Sequence, residues 1–153
     1  CRVIVYDKYK RSYGDAYAEA VSLETLFEKT DILSIHIPFI ASNYHFVDGA
    51  FLDRFHHPIY LVNTARGLVL HTADLVERLQ NGKVRGAALD VLEYEEGSFN
   101  RLQFDALPAP FQYLRHARNV VLSPHIAGWS FESKAGHGRV LAEKIEALFG
   151  RGD

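Results

Sequence analysis

Apolar positions along the chain fall into short continuous runs separated by stretches of helical period, and this alternation is the main guide to its elements. Pro58-Ile59-Tyr60-Leu61-Val62 reads as a buried strand that stops abruptly at the polar tip Asn63-Thr64-Ala65-Arg66-Gly67. Arg2-Val3-Ile4-Val5-Tyr6-Asp7 is a β-branched and aromatic run ending in a carboxylate. Asp31-Ile32-Leu33-Ser34-Ile35-His36-Ile37-Pro38 reads as a nearly continuous apolar strand, closed by a proline that has no N–H to give to a ladder. Val84-Arg85-Gly86-Ala87-Ala88-Leu89-Asp90-Val91 and Asn119-Val120-Val121-Leu122-Ser123 complete the set, and the small residues from Gly86 imply close packing against that backbone.

The intervening stretches have helical spacing. Ser22 caps a short helix with Leu23, Leu26 and Phe27 on one face, and residues 48–55 form a second. A third, Thr72 to Gln80, is capped by Thr72 and stopped by Asn81-Gly82. Residues 97–118 hold two prolines, Pro108 and Pro110, among Phe99, Phe104, Phe111 and Tyr113, and read as a packed loop with short helical turns. A long amphipathic helix follows over about residues 130–149, with Val140, Leu141, Ile145 and Leu148 as its apolar stripe. Trp129, just before it, is either a cleft wall or the anchor of that helix in the core.

Strands alternating with helices predict an α/β fold with a parallel, doubly wound sheet. Ligands bind such sheets just beyond the carboxyl ends of the strands. Three tips carry Arg66, an acidic cluster running from Asp90 through Glu93, Glu95 and Glu96, and His125. A cation, a carboxylate and an imidazole then converge at one edge without being near in sequence. Hydride transfer from a secondary alcohol needs a base for the hydroxyl proton and, in reverse, an acid to supply it. Histidine titrates near neutrality, so His125 suits both directions. A carboxylate on the far ring nitrogen would fix its orientation, the role assigned to Glu95. Arg66 would hold a substrate carboxylate in its planar fork.

Asp7 stands where a dinucleotide-binding unit accepts hydrogen bonds from the adenosine ribose, and its charge would favour NAD over NADP. It is also an ordinary place for a turn residue, and Lys8, Lys10 and Arg11 beside it would tolerate a phosphate. His36 is a strand-end polar group with a possible chemical role, and Pro38 with residues 39–43 would line the cofactor cleft. His56-His57 completes no metal-ligand spacing and reads as a surface turn, so no metal is expected.

Composition narrows the class further. The 153 residues are 48% hydrophobic and 24% charged, which suits one globular domain with a real core. A net charge of −2 offers no basic excess for nucleic acid or an anionic membrane, so the expected partner is a small molecule. The single cysteine, Cys1, allows no intramolecular disulfide and suits a reducing compartment such as the cytoplasm. No apolar run approaches the roughly 18 residues of a membrane span, and no signal-peptide pattern opens the chain. The chain contains no methionine and begins in strand-like residues, so it is expected to be part of a longer protein.

Val62-Asn63-Thr64-Ala65-Arg66-Gly67, Gly86-Ala87-Ala88-Leu89-Asp90-Val91-Leu92-Glu93-Tyr94-Glu95 and Ser123-Pro124-His125-Ile126-Ala127-Gly128, in this order and spacing, resemble the D-isomer-specific 2-hydroxyacid dehydrogenases. The resemblance covers nearly the whole chain. It implies NAD as cofactor and a 2-hydroxy acid as substrate, with Arg66 as substrate binder and His125 as acid/base paired with Glu95. It further implies cofactor contacts from Asp7, His36, Pro38, Thr64, Ala65, Asp90, His125, Ala127 and Gly128, with Asp90 near the nicotinamide carboxamide, and a homodimer of the full-length protein. The stretch from Leu89 to Ser133 is most similar to bacterial sequences labelled D-3-phosphoglycerate dehydrogenase, and also to erythronate-4-phosphate dehydrogenase. Some members of the family act instead as NAD(H)-sensing corepressors with similar Arg, Glu and His residues.

By the same resemblance the chain is the C-terminal part of a Rossmann domain, residues 1–153. The glycine-rich phosphate loop and its central first strand should precede Cys1, and the substrate domain should lie elsewhere. Two half-sheets are therefore expected, and NAD binding by the isolated chain is expected to be poor. Gly97 stands where a proline is usual, and the loop between Glu95 and His125 is longer than usual.

Overall fold

The computed structural model describes residues 1–10, 13–95 and 108–150. Arg11, Glu96, Gly97, Phe99 and Phe104 lie outside the described residues. The elements, in order, are β1 (Ile4–Val5), β2 (Glu19–Ala20), α1 (Leu23–Lys29), β3 (Ile32–Ile35), α2 (Gly49–Asp53), β4 (Ile59–Asn63), α3 (Thr72–Gln80), β5 (Val84–Leu89), α4 (Ala109–His116), β6 (Val120–Leu122) and α5 (Phe131–Phe149). Two 3₁₀ turns, Ala41–Asn43 and Gly67–Val69, interrupt the connections.

Among the described residues all the strand pairs are parallel, and the strands form two sheets, β1-β2 and β3-β4-β5-β6, the division expected from the sequence. In the larger sheet the register runs Leu33, Leu61, Ala87, Val120 and then Ile35, Asn63, Leu89, Leu122 across the strands. These two rows face the core, where Leu33, Ile35, Leu61, Asn63, Ala87 and Leu89 are buried against Phe27, Leu52, Phe55, Leu75, Leu79 and Leu114 from the helices. The opposite face exposes Ile32 and Tyr60, which pair with each other, and Val121 in the row between the two buried ones. Strand β3 thus alternates between the faces instead of being buried on both, as its continuous apolar run had suggested. Phe27 packs edge-on against both Phe51 and Phe55 at about 5 Å between ring centroids, which ties α1 and α2 together.

Capping follows the sequence in part. Ser22 accepts the Thr25 N–H, and Asp48 accepts the Phe51 N–H. The expected Thr72 cap is wrong: His71 occupies the cap position, and the Thr72 N–H is taken by Glu93 Oε2 at 2.9 Å. Residues 109–116 form a regular helix, with Phe111 and Leu114 buried, where short turns had been expected. Pro110 fits there because the first turn leaves its N–H groups without helical partners. In α5 no residue is buried, and Val140, Leu141, Ile145 and Leu148 are all exposed. Trp129 does not anchor that helix in the core: it is exposed, with Lys134 Nζ 5.6 Å from its ring.

Candidate active site

The row Ile35, Asn63, Leu89, Leu122 contains the last residue of each of the four parallel strands. His36, Thr64, Asp90 and Ser123 therefore leave the sheet side by side along one edge. Arg66 and His125 follow within a few residues on the same edge.

Two buried polar residues hold the tips that carry Arg66 and His125. Asn63, fully buried, accepts the Ala65 N–H at 3.0 Å and donates to the Arg66 carbonyl at 3.1 Å, so it shapes the turn that presents Arg66. Arg66 is exposed, and its Nη1 donates to the Ala65 carbonyl at 2.6 Å. Gly67 is required by close approach: a Cβ there would collide with the Leu92 carbonyl. The turn carrying Arg66 is thereby seated on the loop carrying Glu95.

Asp90, 5% exposed, is the second such post. Its Oδ1 accepts the Ser123 hydroxyl at 2.6 Å and the Ile126 N–H at 2.9 Å, its Oδ2 accepts the Ala127 N–H at 2.9 Å, and its carbonyl accepts the His125 N–H at 2.9 Å. Burial works against the charged carboxylate, but the Ser123, Ala127 and Ile126 hydrogen bonds outweigh it and hold its pKa below the usual value. Residues 123–127 are thus wound around one anion. His125 is left in the left-handed region at φ 54°, uncommon for a residue other than glycine.

That winding brings His125 onto Glu95. His125 Nδ1 lies 2.9 Å from Glu95 Oε2, and Glu95 Oε1 accepts the Leu92 N–H at 2.7 Å. The carboxylate is fixed by backbone on one side and fixes the ring on the other. Second neighbours of this kind restrain an acid/base histidine in one orientation.

At the ends of β3 and β4, His36, Ile37, Pro38, Phe39, Ala65 and Arg66 line a cleft of about 410 Å³. Four residues assigned from the sequence, His36, Pro38, Ala65 and Arg66, meet in it. His36 Nε2 is 2.8 Å from Ser34 Oγ, and the Pro38 carbonyl accepts the Asn43 side-chain N–H. Thr64, Ala127 and Gly128 are exposed on the same tips. Asp7 lies just beyond β1 of the separate two-stranded sheet, where its Oδ1 accepts the Tyr9 and Lys10 N–H groups at 2.8 and 3.0 Å. Those two bonds lower its pKa and make it the turn residue that the sequence also allowed. The structural roles of Asn63, Gly67 and Ser123 were not anticipated. The available signal was a polar or small residue at the end of an apolar run.

Residues 1–127 match a protein family described as D-isomer specific 2-hydroxyacid dehydrogenase, NAD binding domain. A glyoxylate reductase from Thermofilum pendens is 39% identical over 130 residues, covering 85% of this chain and 35% of that protein. A D-lactate dehydrogenase from Lactiplantibacillus plantarum is 33% identical over 129 residues, 82% of this chain and 39% of that protein. Among solved structures, the NAD-complexed form of a D-isomer specific 2-hydroxyacid dehydrogenase from Lactobacillus delbrueckii ssp. bulgaricus superposes with a TM-score of 0.82 at 27% identity, covering 99% of this chain and 47% of that one. The chain spans less than half the length of each of these relatives.

Proposed function

Because the chain belongs to the D-isomer specific 2-hydroxyacid dehydrogenases through their NAD binding domain, we propose that the full-length protein transfers a hydride between NAD(H) and a D-2-hydroxy acid and its 2-keto acid. The observation that carries this reading is the 2.9 Å contact between His125 Nδ1 and Glu95 Oε2 on the strand-tip edge that also presents Arg66.

The residues suit a nicotinamide dinucleotide. The Asp7 carboxylate is an acceptor for the adenosine ribose hydroxyls at the end of β1. The 410 Å³ cleft has an apolar wall in Ile37, Pro38 and Phe39 for a flat ring, with His36 and Ala65 beside it. Thr64, Ala127 and Gly128 would flank the nicotinamide end. Asp90 would receive the carboxamide in addition to its three internal donors, since a carboxylate has about four lone-pair sites. When bound, NAD(H) takes or supplies the hydride.

The rest is done by the chain itself. In reduction, His125 donates a proton to the carbonyl oxygen of the keto acid, and in oxidation it takes the proton back. Glu95 on Nδ1 assigns that exchange to Nε2. Arg66 grips the substrate carboxylate in its fork, which orients the carbonyl carbon toward the hydride.

The finer reading, expected from the sequence of residues 89–133, is that the acid is phosphorylated. A homodimer in a reducing compartment such as the cytoplasm completes the proposal; the single cysteine, Cys1, favours that compartment.

The test is NADH oxidation by the full-length protein against glyoxylate, pyruvate, phenylpyruvate and 3-phosphohydroxypyruvate. Turnover of at least one, with a D-configured product, is expected, and preference for the last supports the phosphorylated acid. Specific NADH binding without turnover would replace the enzyme by an NAD(H)-sensing, corepressor-like protein. Absence of both would remove the proposal.

A further inference from the structure

A second cluster of chemistry-bearing side chains lies outside the site described above. His45, His71 and Glu93 come from three stretches of chain, and one ligand atom from each lies within 4.8 Å of the others. His45 Nε2 is 2.6 Å from Glu93 Oε1, and the two imidazole centroids are 4.4 Å apart. None of the three is exposed.

The cluster is held from behind. The two histidine-bearing segments are laced together by backbone bonds from His45 N–H to the Leu68 carbonyl, Val47 N–H to Val69, and His71 N–H to Val47, at 2.9 to 3.0 Å. Val47 and Leu70 form a parallel bridge between the histidines. Each ligand also has an outer partner. Asp74 Oδ2 lies 2.9 Å from His71 Nδ1 and accepts the Gly49 N–H, while Glu93 Oε2 accepts the Thr72 N–H. Tyr44 stacks on the His45 ring at 3.9 Å. A carboxylate behind a histidine and a backbone donor behind a carboxylate are the supports that orient ligands in metal sites.

We propose that His45, His71 and Glu93 bind one divalent cation of the Zn²⁺ class. Two imidazoles and a carboxylate are the nitrogen and oxygen donors that late first-row cations prefer, and three such ligands leave a position for water. The cation takes the place of the proton shared between His45 Nε2 and Glu93 Oε1. Tetrahedral bonds of about 2.0–2.1 Å set ligand atoms about 3.3 Å apart, so that contact opens by about 0.7 Å while the wider separations, all within 4.8 Å, close by up to about 1.5 Å through side-chain rotation. Glu93 lies on the loop between Leu92 and Glu95, so the cation would clamp that loop to the segments carrying His45 and His71. No short ligand spacing links the three positions, which is why the sequence suggested no metal.

The experiment is calorimetric titration of metal-free full-length protein with Zn²⁺ alone, repeated on His71→Asn and Glu93→Gln. His57→Asn is the control, its imidazole lying at the surface near Asp31. One equivalent is expected to bind, with affinity at least tenfold lower in His71→Asn and Glu93→Gln and unchanged in the control. Equal affinity in all four proteins, or no saturable site in the unaltered one, overturns the proposal. X-ray absorption at the zinc edge of the unaltered protein needs no variant to fold. Two imidazole ligands support the site, and fewer than two, or a sulfur neighbour, refute it.

Discussion

His125 Nδ1 lies 2.9 Å from one oxygen of Glu95, and the Leu92 N–H donates at 2.7 Å to the other. The carboxylate is thus clamped between backbone and imidazole, and neither contact is long enough to admit a water. Replacing Glu95 with Gln keeps the shape and one acceptor, which the Leu92 N–H will retain. The amide nitrogen then faces Nδ1 and donates to it, so the ring is held in the opposite tautomer without a neighbouring anion. On the proposed activity, kcat for keto-acid reduction by the full-length protein should fall by about 10²-fold or more, with KM for NADH changed little. Steady-state kinetics check this, and a loss under threefold would mean that Glu95 is not the partner that matters.

Gly67 joins the two halves of the site. A Cβ there would strike the carbonyl of Leu92, and the obstacle is backbone rather than the end of a flexible side chain. Gly67→Ala should therefore push the loop carrying Glu95 away from the Arg66 turn and cost about 1–3 kcal/mol of stability. Urea unfolding reads the stability, and kcat should fall in the folded enzyme because Glu95 no longer reaches His125. Unaltered kinetics at unaltered stability would show that the loop relaxes freely.

How much of this was legible in the sequence depends on which physical quantity decided each feature. The larger sheet was readable because apolar runs such as Ile59 to Val62 end in polar tips, and parallel strands align those tips. Strand β2, Glu19–Ala20, was not, because neither residue favours a strand. It forms through the Glu19 N–H to the Val3 carbonyl and the Val21 N–H to the Val5 carbonyl, with Arg2 paired to Glu19. The stripe on α5 had the right period, but periodicity does not say what a stripe covers, and none of it is buried here. The meeting of Glu95 with His125 was legible from their places beyond strand ends. Asn63, Gly67 and Ser123, which hold the tips, were not, since a buried hydrogen bond and a close approach leave no spacing to read.

Asp90 ties the fold to pH. Its pKa is lowered in the folded protein because the Ser123, Ala127 and Ile126 hydrogen bonds outweigh its burial. A depressed carboxylate pKa contributes stability that is present above the ordinary value, near 3.9, and is lost as pH falls through the lower folded value. Asp90→Asn removes the charge and turns one acceptor into a donor facing N–H or O–H groups, at a cost of about 1–3 kcal/mol at pH 7. The difference between the two proteins should shrink as pH falls below about 4. Urea denaturation at pH 7 and at pH 3 measures it, and a difference that is constant or grows toward acid would contradict the assignment.

Asp7 is the test of cofactor choice, and the design of the variant matters because the residue does two things. Its Oδ1 closes the turn by accepting the Tyr9 and Lys10 N–H groups, and removal of the side chain would confound loss of the turn with loss of charge. Asp7→Asn keeps an oxygen for those two donors and removes only the anion, since asparagine closes the same kind of turn. The charge is what repels a 2′-phosphate, while Lys8 and Lys10 beside it remain to attract one. The ratio of kcat/KM for NADH over NADPH should therefore fall by about tenfold in the variant. Most of the change should come from better use of NADPH, with thermal stability close to that of the unaltered enzyme. An unchanged ratio would place the ribose away from Asp7 and leave that carboxylate as a turn residue only.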